Sequence, residues 1–289
     1  MTAQFPLHEI KKKSLLWKLD GVDLPGASYL FGTMHLPYSA AFRNRAIVYE
    51  KIRECQAFAL EFNLNEKAPP QIDSTILHLP EAKTLKDFMP AKRYRKLREF
   101  FLKTSSLDLD PINHLLPLLI TNFLTKKILA EENIVSLDEH LFDFAKSEER
   151  LLLGIETYLE QYEIMKKIPI DFQLKGLLEI GKNSKKFRQN LVRTAHLYAE
   201  ADLQKLYKSV KKGAGRMRKL LLFQRNLIMA ERINRMLREQ TLFAAIGAGH
   251  LGGEKGILRL LKRKGLTVTP SFPRMENPLK EGSNGIAGQ

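Results

Sequence analysis

Two tetrapeptides near opposite ends of the chain share the form Gly-x-x-His, and each closes an apolar run. The first is Gly32-Thr33-Met34-His35, after Ser28-Tyr29-Leu30-Phe31. The second is Gly247-Ala248-Gly249-His250, after Leu242-Phe243-Ala244-Ala245-Ile246. A third apolar run, Ala57-Phe58-Ala59-Leu60, ends in Glu61. The runs read as strands, so two imidazoles and a carboxylate stand where strands turn, and glycine permits the turn and a close backbone approach. Brought together by the fold, these groups suit a divalent metal or general acid–base chemistry. Held apart, they are loop histidines with capping or packing roles.

Neutral imidazole binds Zn²⁺, Mn²⁺ or Co²⁺, and a carboxylate completes a two-His, one-carboxylate set. His35, His250 and Glu61 are the three candidates. They form no local motif, since the chain has no His-Glu-x-x-His and no Cys-x-x-Cys. Glu156 is a second notable acid, following a strand-like run and Gly154. Arg225 lies inside an apolar helical stretch over 220–229. An unpaired buried guanidinium is costly, so Arg225 is expected to meet an acid such as Glu156, as site support or as a structural ion pair. Backbone N–H groups of Gly247 to His250 and of Gly252-Gly253, ahead of a helix, offer an anion cradle. No dinucleotide-binding unit follows these glycines. His8, His78, His114, His140 and His196 read as loop or helix-face residues. The single cysteine, Cys55, has no His nearby in sequence and reads as a buried structural thiol.

The elements that must position these residues follow from periodicity. Strands at 14–19 and 28–32, with Asp20-Gly21 and Leu24-Pro25-Gly26 between them, predict a hairpin. A helix is expected over 41–56 and a buried strand over 57–64. Helices over 92–103, 112–131 and 137–147 fill the middle, with prolines between them. A strand at 150–153 leads to helices at 158–166, 169–181, 184–200 and 201–211. After a break at Lys212-Gly213-Ala214-Gly215, a long amphipathic helix spans 216–239. A strand at 241–246, a helix at 253–264 and a strand at 266–270 close the pattern. The expected fold is α/β, with a mixed central sheet built from N- and C-terminal strands. It forms a single domain over 1–276 with a helical insertion at about 66–149, and 277–289 is a flexible tail. The site belongs at the C-terminal ends of strands, where open α/β sheets collect ligands.

Composition narrows the function classes. The net charge of +15 favours anionic surroundings, but the basic residues spread along helices (Lys92, Arg93, Arg95 and Lys96; Lys262, Arg263 and Lys264) as solvated faces. No zinc-finger or RRM signature accompanies them, so nucleic acid is an unlikely partner. No run approaches the length of a membrane span. The first residues lack the apolar core of a secretory signal, and one cysteine excludes an intramolecular disulfide; both fit a cytoplasmic protein.

Taken together, these residues resemble the TraB/GumN family, which includes the Tiki metalloproteases and the pheromone-shutdown protein PrgY. Leu16-Trp17 with the run from Ser28 to His35 resembles its opening motif, and Glu61 after Phe58 its glutamate strand. Leu137-Asp138, Gly154-Ile155-Glu156-Thr157 and Gln161 resemble its central region. Gln224-Arg225-Asn226 with Met229, then Ala245 to Leu251 with Gly253 and Gly256, complete the ordered set. The similarity spans roughly 14–269. It implies a fold related to the erythromycin-esterase and ChaN-type proteins. Its Tiki branch implies peptide cleavage dependent on a divalent metal (Mn, Co or Zn). Carried to this chain, the resemblance assigns His35, His250 and Glu61 as metal ligands or catalytic groups, with Glu156 and Arg225 as supports. Some relatives have an acid two residues after the glutamate, where this chain has Asn63; if that acid is a ligand, metal affinity is expected to be weaker here, although an amide oxygen can still coordinate.

Three readings follow. The first is a metal-dependent hydrolase cleaving a peptide bond, with Glu61 in the first coordination shell or as general base. The second is a protein that binds or sequesters a peptide or small molecule without turnover. The third is a metal-free hydrolase with His35 as general base.

Overall fold

Runs of residues that are apolar at every position need burial on both faces of a sheet, and parallel strands provide it. In the computed structural model, which describes residues 13–34, 42, 45–66, 74–129 and 135–271, three such runs become the central strands. These are β2 (Ser28–Thr33), β3 (Ala57–Leu60) and β5 (Leu242–Gly247), each buried throughout. With β1 (Leu16–Asp20), β4 (Leu151–Gly154) and β6 (Thr267–Pro270) they form a six-stranded sheet in the order β4-β3-β5-β2-β1-β6. The four strands β4, β3, β5 and β2 run parallel to one another, whereas β1 is antiparallel to both β2 and β6. This is the expected mixed α/β sheet.

The parallel register decides where the sequence motifs go. Leu60 stands opposite Gly154, and Thr33 opposite Gly247. The C-terminal ends of all four parallel strands therefore face one edge of the sheet. Glu61, Glu156 and His250 follow those ends, and β2 leads towards His35 in sequence. His35 itself lies outside the described residues, as do the first part of the helix expected over 41–56 and the tail 277–289.

Helices α1 (Arg45–Arg53), α4 (Leu137–Ser147), α9 (Arg225–Glu239) and α10 (Ile257–Arg263) contribute to the main core around the sheet. A second apolar cluster joins α2 (Ala91–Ser105), α3 (Pro117–Leu129) and α6 (Ile170–Lys182) through Leu97, Phe101, Ile120, Leu124, Leu174 and Leu177. That cluster thus recruits α6 from beyond β4 in the chain. Helices α5 (Tyr158–Lys166), α7 (Ser184–Ala199) and α8 (Leu203–Ala214) complete the set. Lys92, Arg93, Arg95 and Lys96 lie exposed on α2, as solvated faces should. Cys55 is buried, and burial pushes its thiol up to about 12. No helix among the described residues is long and apolar enough to cross a membrane.

Several boundaries differ from the sequence expectation for local reasons. The strand expected to run to 64 stops at Leu60, where pairing gives way to the site. The helix expected from 112 starts at Pro117, after a separate 3₁₀ turn over Asp110–Ile112, because proline suits the first helical position. The break expected over 212–215 narrows to Gly215, at φ +49°, and α8 runs up to it. Beyond it the single helix expected over 216–239 divides into a 3₁₀ turn, a π-helical run over Lys219–Gln224 and α9. The helix expected from 253 starts at Ile257, since Gly253 takes a left-handed φ of +83° that ends regular winding there.

Phe243 lies fully buried at the sheet centre, with Tyr29, Phe31 and Phe58 rings within 6.5 Å of it. Replacing it by alanine is expected to cost about 3–5 kcal/mol. Urea unfolding followed by far-ultraviolet circular dichroism checks this.

Candidate active site at the ends of the parallel strands

The ladder between β3 and β4 continues past both strands and carries the two acids with it. Ile155 N–H donates to the Leu60 carbonyl at 2.9 Å, and Glu156 N–H to the Glu61 carbonyl at 2.6 Å. The Glu61 and Glu156 side chains then share one cation. Arg225 Nε donates to Glu156 Oε1 at 2.9 Å, and Nη2 donates to both Glu156 Oε2 and Glu61 Oε2, the latter at 2.7 Å. The side chains are only 15% (Arg225), 10% (Glu61) and 2% (Glu156) exposed. Burial alone would lower the Arg225 guanidinium, but the two carboxylates outweigh it and hold it above its ordinary range. Gln161 adds a long contact, donating to Glu156 at 3.4 Å. The π-helical run ends where Arg225 begins α9, and π segments recur where a side chain must be placed for function.

The other oxygen of Glu61 accepts the Gly247 backbone N–H at 2.9 Å. This changes the reading of the glycine-rich turn. The anion held by the Gly247 N–H is the protein's own Glu61 carboxylate. The next glycines serve close packing on α8: an added Cβ would lie 2.8 Å from Val210 at Gly249 and 2.9 Å from the Leu203 carbonyl at Gly252.

His250 completes the arrangement. Its Nδ1 lies 2.6 Å from Asn226 Oδ1, and Asn226 Nδ2 donates to the Lys255 carbonyl at 2.7 Å. The Lys255 bond fixes the amide so that its oxygen faces the ring. A neutral His250 therefore carries its proton on Nδ1, with the Nε2 lone pair towards Glu61. Nε2 lies 4.0 Å from Glu61 Oε1. Asn226 is fully buried. In the sequence Asn226 carries no signal beyond its place one residue after Arg225; its role comes from the fold, which sets it between Lys255 and His250.

The neighbouring strand end is also pinned. Tyr198 OH donates to the Gly32 carbonyl at 2.9 Å, and Thr33 Oγ1 donates to Asp138 at 2.7 Å. Asn63 is used differently from a ligand. Its oxygen accepts the Asn65 N–H at 3.0 Å and its Nδ2 donates to the Leu152 carbonyl at 3.2 Å, so both ends of the amide shape the turn. The remaining histidines fill packing roles or face solvent: His78 and His114 meet edge to face, His140 contacts Tyr49 and Phe42, and His196 is exposed on α7. His8 lies outside the described residues.

Residues 15–270 match the TraB/PrgY/gumN family. The chain belongs to that family. Curated relatives of this TraB/PrgY/gumN chain include a metalloprotease TIKI homolog of Amphimedon queenslandica, 22% identical over 91% of this chain and 63% of that protein. Metalloprotease TIKI1 of Danio rerio is 22% identical over 88% of this chain and 62% of its own length. A metalloprotease TIKI homolog of Nematostella vectensis is 22% identical, covering 87% and 66%. The chain thus spans less than two thirds of the length of these relatives. No solved structure gives a significant match.

The donor set is compatible with a metal in part. The 4.0 Å between His250 Nε2 and Glu61 Oε1 is close to the sum of two metal–ligand bonds of roughly 2.0–2.2 Å, and wider than the roughly 3.4 Å of a tetrahedral pair, so the two atoms would share an ion after approaching by about half an ångström. A ring whose Nδ1–H is anchored on an amide oxygen is the usual support for an Nε2 ligand. Among the described residues, no group of three or more His, Cys, Asp or Glu side chains is arranged to hold a metal.

Two outcomes follow from this geometry. Arg225→Met leaves two buried carboxylates without their shared cation and is expected to destabilise the protein by about 3–5 kcal/mol. Adding Glu156→Gln should recover part of that loss in the same denaturation assay. The second concerns Glu160, which caps α5 through Thr157 and pairs with Arg232. The Arg232 guanidinium pulls its carboxyl from 4.5 to about 2, against burial and helped by the Thr157 N–H. A lowered folded value stabilises above the unfolded one, so this contribution is present above about pH 4.5 and fades as pH falls towards 2. Thermal melts of Glu160→Gln across that interval should fall less steeply with acid than those of the wild type.

Proposed function

We propose that the protein is a metal-dependent hydrolase that cleaves a peptide bond at the strand ends bearing Glu61 and His250. The observation that carries the reading is the orientation of His250 Nε2 towards a Glu61 carboxylate that is itself fixed by Gly247 N–H and Arg225. Charge supports it as well: one guanidinium against two carboxylates gives the cluster a formal charge of −1, which a divalent cation complements. The metalloprotease names of the family relatives point the same way.

His250 and Glu61 would hold the ion together with His35, the sequence counterpart of His250 beyond β2. Such an ion, when bound, polarises the scissile carbonyl and acidifies a water. The chain's own residues do the remaining work. If the two histidines hold the ion and Glu61 serves as base, its carboxylate takes the proton of the attacking water and returns it to the leaving amine. Arg225 is a positioning residue: with Nε and Nη2 committed to carboxylates, it fixes Glu61 and balances Glu156. Asn226 keeps the His250 proton on Nδ1, so that Nε2 faces the reaction.

The test is metal stoichiometry and peptide turnover measured together. His35→Ala and His250→Ala are each expected to lose bound Mn²⁺, Co²⁺ or Zn²⁺ while keeping the wild-type circular dichroism spectrum. Glu61→Gln is expected to lose turnover by at least ~100-fold, with metal retained if it acts as base and lost if it is a ligand. Wild-type protein with chelator-resistant turnover would replace this reading by a metal-free hydrolase. Metal affinity without turnover on a broad peptide library would replace it by a binding protein.

A further inference from the structure

A cleft of about 460 Å³ opens directly from Glu61 and Arg225. That volume falls in the range of small-molecule and side-chain pockets, roughly 300–1,000 Å³. Its walls come chiefly from α3, α5 and the chain at and beyond the end of β3, with the start of α4, Leu221 and Arg225 closing it. On α5 the wall is one helical stripe, Gln161, Ile164 and Met165, at the spacing that normally buries an apolar face, with the buried Ile168 just beyond the helix end. No residue within α5 is fully buried, and Ile164 and Met165 stay half-buried because they face the cleft. Leu118 of α3 lines it too, and Leu60, Phe62 and Leu64 extend the apolar surface up to Glu61.

The charged side chains lining this cleft already have protein partners. Glu61 and Arg225 belong to the buried cluster, and Asp138 accepts the Thr33 hydroxyl. Glu139 closes the α4 capping box with Ser136, and Lys126 lies 3.9 Å from it. A charged ligand group would compete with these pairs, whereas an apolar group would cover the half-exposed stripe on α5. Resting on the hydrolase reading for the reaction itself, we propose that this cleft is the substrate's specificity pocket. It takes an apolar side chain, leucine- or phenylalanine-like, from a peptide whose neighbouring bond lies at Glu61. Ile164 and Met165 are its specificity-determining residues.

The probes are fluorescein-labelled octapeptides of Gly and Ser carrying Leu, Phe, Ser or Glu at the centre. Their binding is read by anisotropy and their cleavage by mass spectrometry. The proteins are wild type, Ile164→Gln, Met165→Gln, Leu118→Gln on the facing helix, and His250→Ala as the turnover-deficient form. The expected result is binding of the Leu and Phe peptides at least roughly tenfold tighter than of the Ser and Glu peptides, the factor one buried apolar side chain supplies. That preference should persist in His250→Ala and collapse in the Ile164 and Met165 variants, with Leu118→Gln confirming the pocket from its other wall. Equal binding of all four peptides, no binding, or a preference untouched by the wall variants would overturn the proposal. Cleavage indifferent to the central residue would leave the hydrolase standing without this pocket. Apolar preference without cleavage would leave the pocket standing without the hydrolase.

Discussion

The site depends on one buried guanidinium held between two carboxylates. Arg225 reaches Glu61 and Glu156 from the start of α9, and the two acids leave adjacent parallel strands. Three charges taken out of water contribute little net stability compared with apolar residues of the same volume, while losing one of them is expensive. The cluster therefore works as a constraint. It fixes the ends of β3 and β4 relative to α9, and it fixes which Glu61 oxygen faces Gly247 and His250. The π-helical run before Arg225 fits this view, because it offsets the helix register at the residue where the guanidinium must enter the site.

The parallel sheet makes the constraint possible. An antiparallel arrangement of the same strands would send alternate C-terminal ends to opposite edges. Here β4, β3, β5 and β2 all deliver their ends to one edge, so residues distant in sequence become neighbours without any local motif. The antiparallel β1 and β6 extend the sheet beyond β2 and leave that edge to the parallel strands. The same logic explains the glycine turn: tight packing of Gly249 and Gly252 on α8 brings Asn226 and His250 into register, and Asn226 sets the ring's proton.

Much of this was legible in the sequence because it rests on pattern. Unbroken apolar runs identified the central strands, and Glu61 and His250 were visible as polar residues just beyond them. Arg225 in an apolar helix demanded an acid, and Glu156 supplied it. What escaped had no pattern to show it. Asn226 is one amide among many until the Lys255 carbonyl and His250 lie on either side of it. That Arg225 bridges two acids rather than one follows from strand register, which single-strand periodicity does not encode. The division of the helix expected over 216–239 is invisible to propensity, since leucine and lysine favour ordinary α-helix throughout that stretch. Asn63 stands out in the sequence only as a departure from the family's acid; that its amide bonds the Asn65 N–H and the Leu152 carbonyl follows from the turn and from the placing of β4 beside it, which residue order does not show.

The charged cluster and the apolar cleft also explain one another. Electrostatic interactions strengthen as water is excluded, so a site of one cation and two carboxylates acts most strongly when its open side is covered by something nonpolar. The protein leaves that side as a half-buried stripe on α5, anchored by the Thr157–Glu160 cap and by Arg232 on α9. Arg232 also donates to the Ile155 carbonyl at 2.8 Å, one residue before Glu156. The helix that forms the apolar wall is thus tied to the backbone that carries one of the carboxylates. A ligand pressing on α5 and a charge forming at Glu61 act on the same hydrogen-bonded frame. The proposed binding in the cleft and the proposed chemistry at the strand ends would thus load one hydrogen-bonded frame.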